Sequence, residues 1–188
     1  MNDEPDVVVT DAMEEYFLRR LFRHRLSVNY FAELVGYHFP EHDASKLCRS
    51  EYSPYILRIW DLHVEPLPMS ARQRASVSIA ADHHYFFNPH HAQYWGAHTR
   101  SIPEPIMIEM SCDISAVHFE KELIRYRGQP NRHASAREYF ITEEFPKYDF
   151  SDKQKKFLTD MTDELAGKIK PEDFADIWRR PLKYGDTR

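Results

Sequence analysis

Residues 11–35, DAMEEYFLRRLFRHRLSVNYFAELV, set the reading of the whole chain. Phe17, Leu21, His24, Val28, Phe31 and Val35 recur at steps of three and four. At 100° per residue these positions fall within one arc of about 80°, which predicts an amphipathic helix with a single buried stripe. His24 lies in the middle of that stripe. An imidazole is therefore expected where such a helix normally buries an aliphatic side chain.

The same reading extends along the chain. Gly36 and Pro40 stop the first helix, and short helices are expected over 45–52 and 55–62. Pro66-Leu67-Pro68 makes a connector, and a helix over 70–85 ends at Asn88-Pro89. One short helix and a loop fill 89–102. A strong helix over 105–126 carries Ile106, Met110, Asp113 and Val117 close to one face, so Asp113 points inward like His24. Gly128-Gln129-Pro130 breaks it, and 135–145 reads as a further helix. Ser151-x-x-Gln154 opens a helix to about residue 169, and Pro171 opens the last.

Only 5 glycines in 188 residues, among many long helix-forming side chains, argue against a β-sandwich and for an all-α fold. The length suits one domain. The expected division is a loose N-terminus over 1–10, a helical domain over 11–128, and a C-terminal helical extension over 129–188 packed on it. A net charge of −5 offers no basic field, so neither a nucleic-acid polymer nor an anionic membrane is an expected partner. No apolar run reaches the 18 or so residues of a membrane span, and two cysteines make no disulfide framework. With no leader-like opening, a soluble cytoplasmic protein is expected. Self-association into a homo-oligomer is left open.

Donors that suit a metal ion are abundant: His24, the pair His42-Asp43, the segment from His83 to Trp95, and Asp113. Imidazole and carboxylate together hold Fe, Mn, Zn, Mg or Co. Lys46 stands three residues beyond Asp43, one helical turn away, where its ammonium can meet a phosphate or simply face solvent. Within 83–95, histidines and Asn88 are interleaved with aromatic residues, as in pockets with apolar walls and a few aimed donors. His84 shares helical spacing with Val77, Ala80 and Ala81, whereas His83 follows Ile79 and Ala80. The inward reading of His84 is preferred. Glu109, one turn before Asp113, can orient a ligand or act as a general base. Glu51, Tyr52 and Tyr55 either hold imidazole tautomers and close the pocket, or serve as ordinary helix packing.

An inward His, then His-Asp, then an inward Asp is the order of the HD metal-dependent phosphohydrolase superfamily, which the chain resembles. The His42-Asp43-Ala44-Ser45-Lys46 segment is similar to the superfamily's His-Asp-x-Gly-Lys, with serine in place of glycine. More closely, the chain looks like a family of short HD-like proteins of bacteria and viruses. Their pattern is His-Asp-x-Ser-Lys, Glu-Tyr-x-Pro-Tyr, His-His-x-x-x-Asn-x-His-His-x-x-Tyr-Trp and Glu-Met-x-x-Asp. It is carried here at 42–46, 51–55, 83–95 and 109–113, within a match spanning roughly 20–118. Leu47 and Ile114 stand where phenylalanine and tryptophan are usual.

The resemblance implies an all-α HD-like domain holding one or two divalent ions. His24, His42, Asp43 and Asp113 are the implied ligands of the first ion, and His84 and His91 those of a second. Asp43, Lys46 and Glu109 are the candidate catalytic groups. Lys46, Asn88, His90 and Tyr94 are the candidate contacts to a nucleotide or other small phosphorylated substrate. Two alternatives use the same residues: a di-iron oxygenase of a small molecule, and a non-catalytic binding or assembly protein on the same scaffold.

Overall fold

Thr10 starts the first helix. Its side chain accepts the Met13 N–H at 3.3 Å, which caps α1 over Asp11–Glu33. The stop matches the glycine: Gly36 has φ 79°, the Tyr37 N–H bonds the Ala32 carbonyl at 2.9 Å, and the Gly36 N–H bonds the Glu33 carbonyl at 3.2 Å. This pair of reverse bonds closes a Schellman turn, whose left-handed residue favours glycine. The computed structural model describes residues 6–124 and 128–179, all-helical among the described residues and forming one compact domain.

The later helices are α2 (Tyr52–His63), α3 (Ala71–Phe87), the short α4 (Ala92–Trp95), α5 (Glu104–Ile124), the short α6 (Ala136–Tyr139), α7 (Asp152–Lys168) and α8 (Pro171–Arg179). Capping boxes at Ser70/Gln73 and Ser151/Gln154 open α3 and α7, each satisfying two otherwise unpaired N–H groups. Pro54 falls in the first turn of α2, where its missing N–H costs nothing.

Two segments depart from the sequence expectation. The helix expected over 45–52 is one tight turn, Ala44–Leu47, followed by extended backbone at Cys48 (ψ 157°). In a regular helix, residues six apart point about 120° away from each other. Ser45 and Glu51 instead both reach His84, at 2.9 and 3.1 Å, which requires the break between them. The expected helix over 135–145 widens after α6, with the Phe145 N–H bonded to the Phe140 carbonyl at 2.9 Å. The wide turn buries both Phe140 and Glu144.

Three apolar clusters form the core. Met13, Phe17 and Leu21 of α1 pack with Tyr55, Ile56 and Leu57 of α2 and with Val77 and Ala80 of α3. Val28, Phe31 and Ala32 of α1 pack with Ile108, Cys112 and Ala116 of α5, Leu165 of α7 and Phe174 of α8. Met107 and Met110 of α5 join Phe140, Phe150 and Leu158. The C-terminal helices thus share the core that α1 and α5 build. No helix among the described residues is long and apolar enough to cross a membrane.

Leu165 has 0% of its surface exposed at the meeting of α1, α5, α7 and α8. Leu165→Ala is expected to cost about 2–5 kcal/mol of unfolding free energy, measured by urea titration, because it removes buried methyls and leaves a void. A loss within about 0.5 kcal/mol, the range of exposed sites, would contradict this placement of α7.

Candidate metal centre

His24 sits on α1 between Leu21 of one core cluster and Val28 of the next. The chain after the Gly36 turn delivers His42 and Asp43, α3 brings His84, the loop before α4 brings His90 and His91, and α5 brings Asp113. His24, His42, Asp43, His84, His90 and Asp113 are all buried. Asp43 adopts φ 58°, a left-handed conformation that strains a residue with a Cβ.

The donor atoms converge on Asp43 from two sides. Its Oδ2 lies 3.5 Å from His24 Nε2 and 3.9 Å from His42 Nε2, and Asp113 Oδ1 stands 3.1 Å from the same His24 nitrogen. Its Oδ1 lies 3.1 Å from His84 Nε2 and 3.6 Å from His90 Nε2, while His91 Nε2 is 3.0 Å from His84 Nε2. Ligands bound at about 2.1 Å stand about 3.0–3.4 Å from their neighbours around a common ion. Two groups, His24/His42/Asp43 and Asp43/His84/His90/His91, therefore have the compactness of ligand sets, with Asp43 shared.

Behind the rings stands a row of carboxylates. His24 Nδ1 donates to Glu120 at 2.9 Å, His42 Nδ1 to Glu109 at 2.9 Å, and His84 Nδ1 to Glu51 at 3.1 Å. Glu109 also holds His90 Nδ1 at 3.3 Å, and Arg20 pairs with Glu120 at 2.7 Å. A carboxylate behind an imidazole fixes its tautomer and raises the basicity of the other nitrogen, the usual support of a metal-binding histidine.

That bracing has a consequence for the inward nitrogens. With both Nδ1–H groups donated outward, His24 and His42 present lone pairs to each other across 3.3 Å, beside the oxygens of Asp43 and Asp113. His90 Nε2 is buried with no hydrogen-bond partner. A cation among these atoms, metal ion or proton, relieves the repulsion. Burial opposes charging of His24 and His42, yet Glu120 and Asp113 around the first, and Asp43, Asp113 and Glu109 around the second, raise both to about 9. Burial likewise works against the acids, but Lys46 and the imidazoles hold Asp43 well below the usual carboxylate range, and His24 and His42 do the same for Asp113. Glu109, half-buried, is held down at about 2 by its bonds from His42 and His90 against the opposing effect of desolvation.

Of the residues singled out from the sequence, His24, His42, Asp43, His84, His91 and Asp113 come together. Lys46 joins them through an ion pair with Asp43. His90 lies among the donors and also lines the cavity that opens onto them. Glu109 occupies the orienting position, on the far side of two rings from the donor atoms. Asn88 braces α3 by donating to Ser45 Oγ at 2.9 Å and to the His84 carbonyl at 2.7 Å. Tyr94 is an exposed ring stacked edge-on against Trp95. Neither Asn88 nor Tyr94 lines the cavity of about 510 Å³ that opens onto the donors. His83 turns outward, bonded to Glu51 at 2.6 Å and stacked on Phe87. Glu120 escaped the sequence reading, although its spacing of seven from Asp113 places it on the same helical stripe.

The electrostatics set a pH dependence for chelator-treated protein. Folded-state values of about 9 for His24 and His42 exceed the ordinary 6.5, so their contribution is complete below about pH 6.5 and lost as pH rises through about 9. The depressed carboxylates Asp43 and Asp113 contribute above about pH 4 and lose that contribution in acid. Thermal unfolding of the chelated protein is expected to show Tm falling from about pH 6.5 to 9. Addition of a divalent ion should abolish that fall, since ion and proton compete for the same nitrogens. Identical profiles with and without ion would contradict the competition.

No curated protein and no solved structure matches the chain. A family model described as a family of unknown function, DUF5662, matches residues 13–164. That stretch holds nearly all of the His24 helix, the His42-Asp43 turn, His84 of α3, His90 and His91 of the loop before α4, Asp113, and most of α7. The chain belongs to the DUF5662 family.

Proposed function

We propose that the protein is a metal-dependent phosphohydrolase of the HD type, acting on a nucleotide or other small phosphate ester. The carrying observation is the shared carboxylate: Asp43 turns one oxygen toward His24 and His42 and the other toward His84 and His90. In this reading His24, His42, Asp43 and Asp113 hold one divalent ion, and Asp43, His84, His90 and His91 hold a second. Such a pair supplies Lewis acidity at the phosphoryl oxygens and a water acidified toward neutrality.

The chain's own residues supply the rest. Glu109, Glu120 and Glu51 keep the imidazoles aimed, each holding an Nδ1–H so that the Nε2 atoms face inward toward an ion. Lys46, half-buried beside Asp43 and 5.3 Å from the Tyr55 ring, brings a point charge to the position of a phosphate. The cavity of about 510 Å³ has the size of a small-molecule site, which suits a monomeric substrate better than a polymer.

A second reading rests on the histidine count around one side of Asp43. Three imidazoles with one carboxylate suit iron, as in a di-iron oxygenase of a small molecule.

The deciding experiment is turnover of a broad panel of phosphate esters by protein loaded with manganese, iron, zinc, magnesium or cobalt. Wild type is expected to release phosphate from some of them. Asp43→Asn is expected to lower kcat by a factor of about 10³ or more, since it weakens both ligand sets at once. Equal activity of wild type and variant, or none by wild type with any metal, would falsify the hydrolase assignment. Iron-specific visible absorption with consumption of dioxygen would favour the second reading.

A further inference from the structure

Three further donors meet outside the centre. A ring nitrogen of His83, a carboxylate oxygen of Glu51 and the sulfur of Cys48 all lie within 4.8 Å of one another. None of the three belongs to the two ligand groups that share Asp43. Donors bound to zinc at about 2.0–2.3 Å stand about 3.3–3.6 Å apart, so a contraction of little more than about 1 Å closes the set on an ion.

The local chain builds this group. Cys48 carries the extended backbone that ends the tight turn Ala44–Leu47, and its carbonyl accepts the N–H of Glu51 at 3.1 Å and that of Tyr52 at 2.9 Å. Cys48-x-x-Glu51 thereby has the two-residue separation of paired zinc ligands. The packing of α3 adds His83, whose Nδ1 lies 2.6 Å from Glu51 Oε1 and whose ring stacks on Phe87 with centroids 4.2 Å apart. That stack fixes the plane of the imidazole. The Ser50 hydroxyl stands 3.0 Å from Cys48 Sγ, where it can donate to a thiolate. Glu51 is fully buried, whereas Cys48 and His83 are half-buried, so an ion has access from solvent and room for a water as its fourth ligand.

Charge and softness select the occupant. A carboxylate and a thiolate together neutralise a divalent cation, and the imidazole adds a neutral donor. The centre around Asp43 offers nitrogen and oxygen alone, whereas this group includes sulfur, which favours zinc over magnesium or manganese.

We infer that Cys48, Glu51 and His83 form a further metal site, which takes zinc or a similar thiolate-seeking divalent ion and is separate from the donor groups around Asp43. Glu51 joins the two. Its Oε1 faces His83, and its Oε2 accepts from His84 Nδ1 and from the Ser45 hydroxyl, each at 3.1 Å. The occupant therefore shares a carboxylate with the brace of His84. The site stands whatever reaction the Asp43 centre performs.

Anaerobic titration of the reduced, full-length protein with cobalt(II) tests it, because thiolate bound to cobalt absorbs strongly in the near ultraviolet and imidazole or carboxylate ligands do not. The chain's other thiol, Cys112, is buried in the core among Val28, Phe31 and Ile108. A near-ultraviolet band is expected, saturating at about one thiolate-bound ion per chain. Zinc should erase the band by displacement, and magnesium should leave it intact. Cys48→Ser should abolish the band while keeping the visible absorption of cobalt held by nitrogen and oxygen at the centre. His83→Phe, which keeps a ring on Phe87 and removes the donor, should weaken cobalt binding read at the band by at least about tenfold. Saturating zinc should also slow alkylation of Cys48 in the wild type, a readout that needs no variant. No band in wild type at saturating cobalt, a band of full strength in Cys48→Ser, unchanged affinity in His83→Phe, or alkylation of Cys48 at the same rate with and without zinc overturns the site.

Discussion

Two imidazole nitrogens aimed at each other across 3.3 Å, each with its other nitrogen already donated to a glutamate, are the constraint on which this structure turns. Lone pairs so placed, beside the carboxylates of Asp43 and Asp113, repel unless a positive charge stands among them. Removing any one bracing carboxylate would let a ring flip its tautomer and relax the conflict. The braces are instead buried with the rings: Glu51 and Glu120 have 0% exposure. A protein core tolerates this many ionisable groups only when each is paired, and here the pairing is complete on the outer side and open on the inner.

The helices are arranged to hold that geometry. α1 and α5 form the central pair, with His24 on one and Glu109, Asp113 and Glu120 on the other, so their packing sets the distances of the first donor group. The second group depends on three weaker anchors. The Ser45 hydroxyl binds His84 and Glu51, Asn88 ties Ser45 to the end of α3, and Trp95 Nε1 donates to the Pro89 carbonyl at 2.8 Å, closing the loop that carries His90 and His91. Serine at position 45 is thus part of the scaffold. A glycine there would leave this hydroxyl bridge to another group.

Much of this was legible from residue order, and the limits have physical causes. His24 and Asp113 declared themselves because a polar side chain in an apolar helical stripe must be satisfied inside. The choice between His83 and His84 was close because both follow apolar residues at helical spacing, and only the packing of α3 on α2 separates them. Glu120 passed unnoticed because a glutamate among Glu, Lys and Arg near a helix end reads as a solvated charge. The break at Cys48 carries no glycine or proline; it arises from the long-range pull of His84 on Ser45 and Glu51, which local propensity does not contain. The start of α7 followed from its capping box, but its partner on α1 did not.

Cations are expected to occupy the space between these donors, and anomalous diffraction from crystals soaked in manganese or zinc looks at that space directly. Two peaks about 3.5–4 Å apart are expected on either side of the Asp43 carboxylate. One should lie within about 2.0–2.3 Å of nitrogens of His24 and His42, and the other equally close to His84 and His90. A map with no anomalous density at bonding distance from Asp43, in crystals where the rings of His24 and His42 keep their contact, would contradict it.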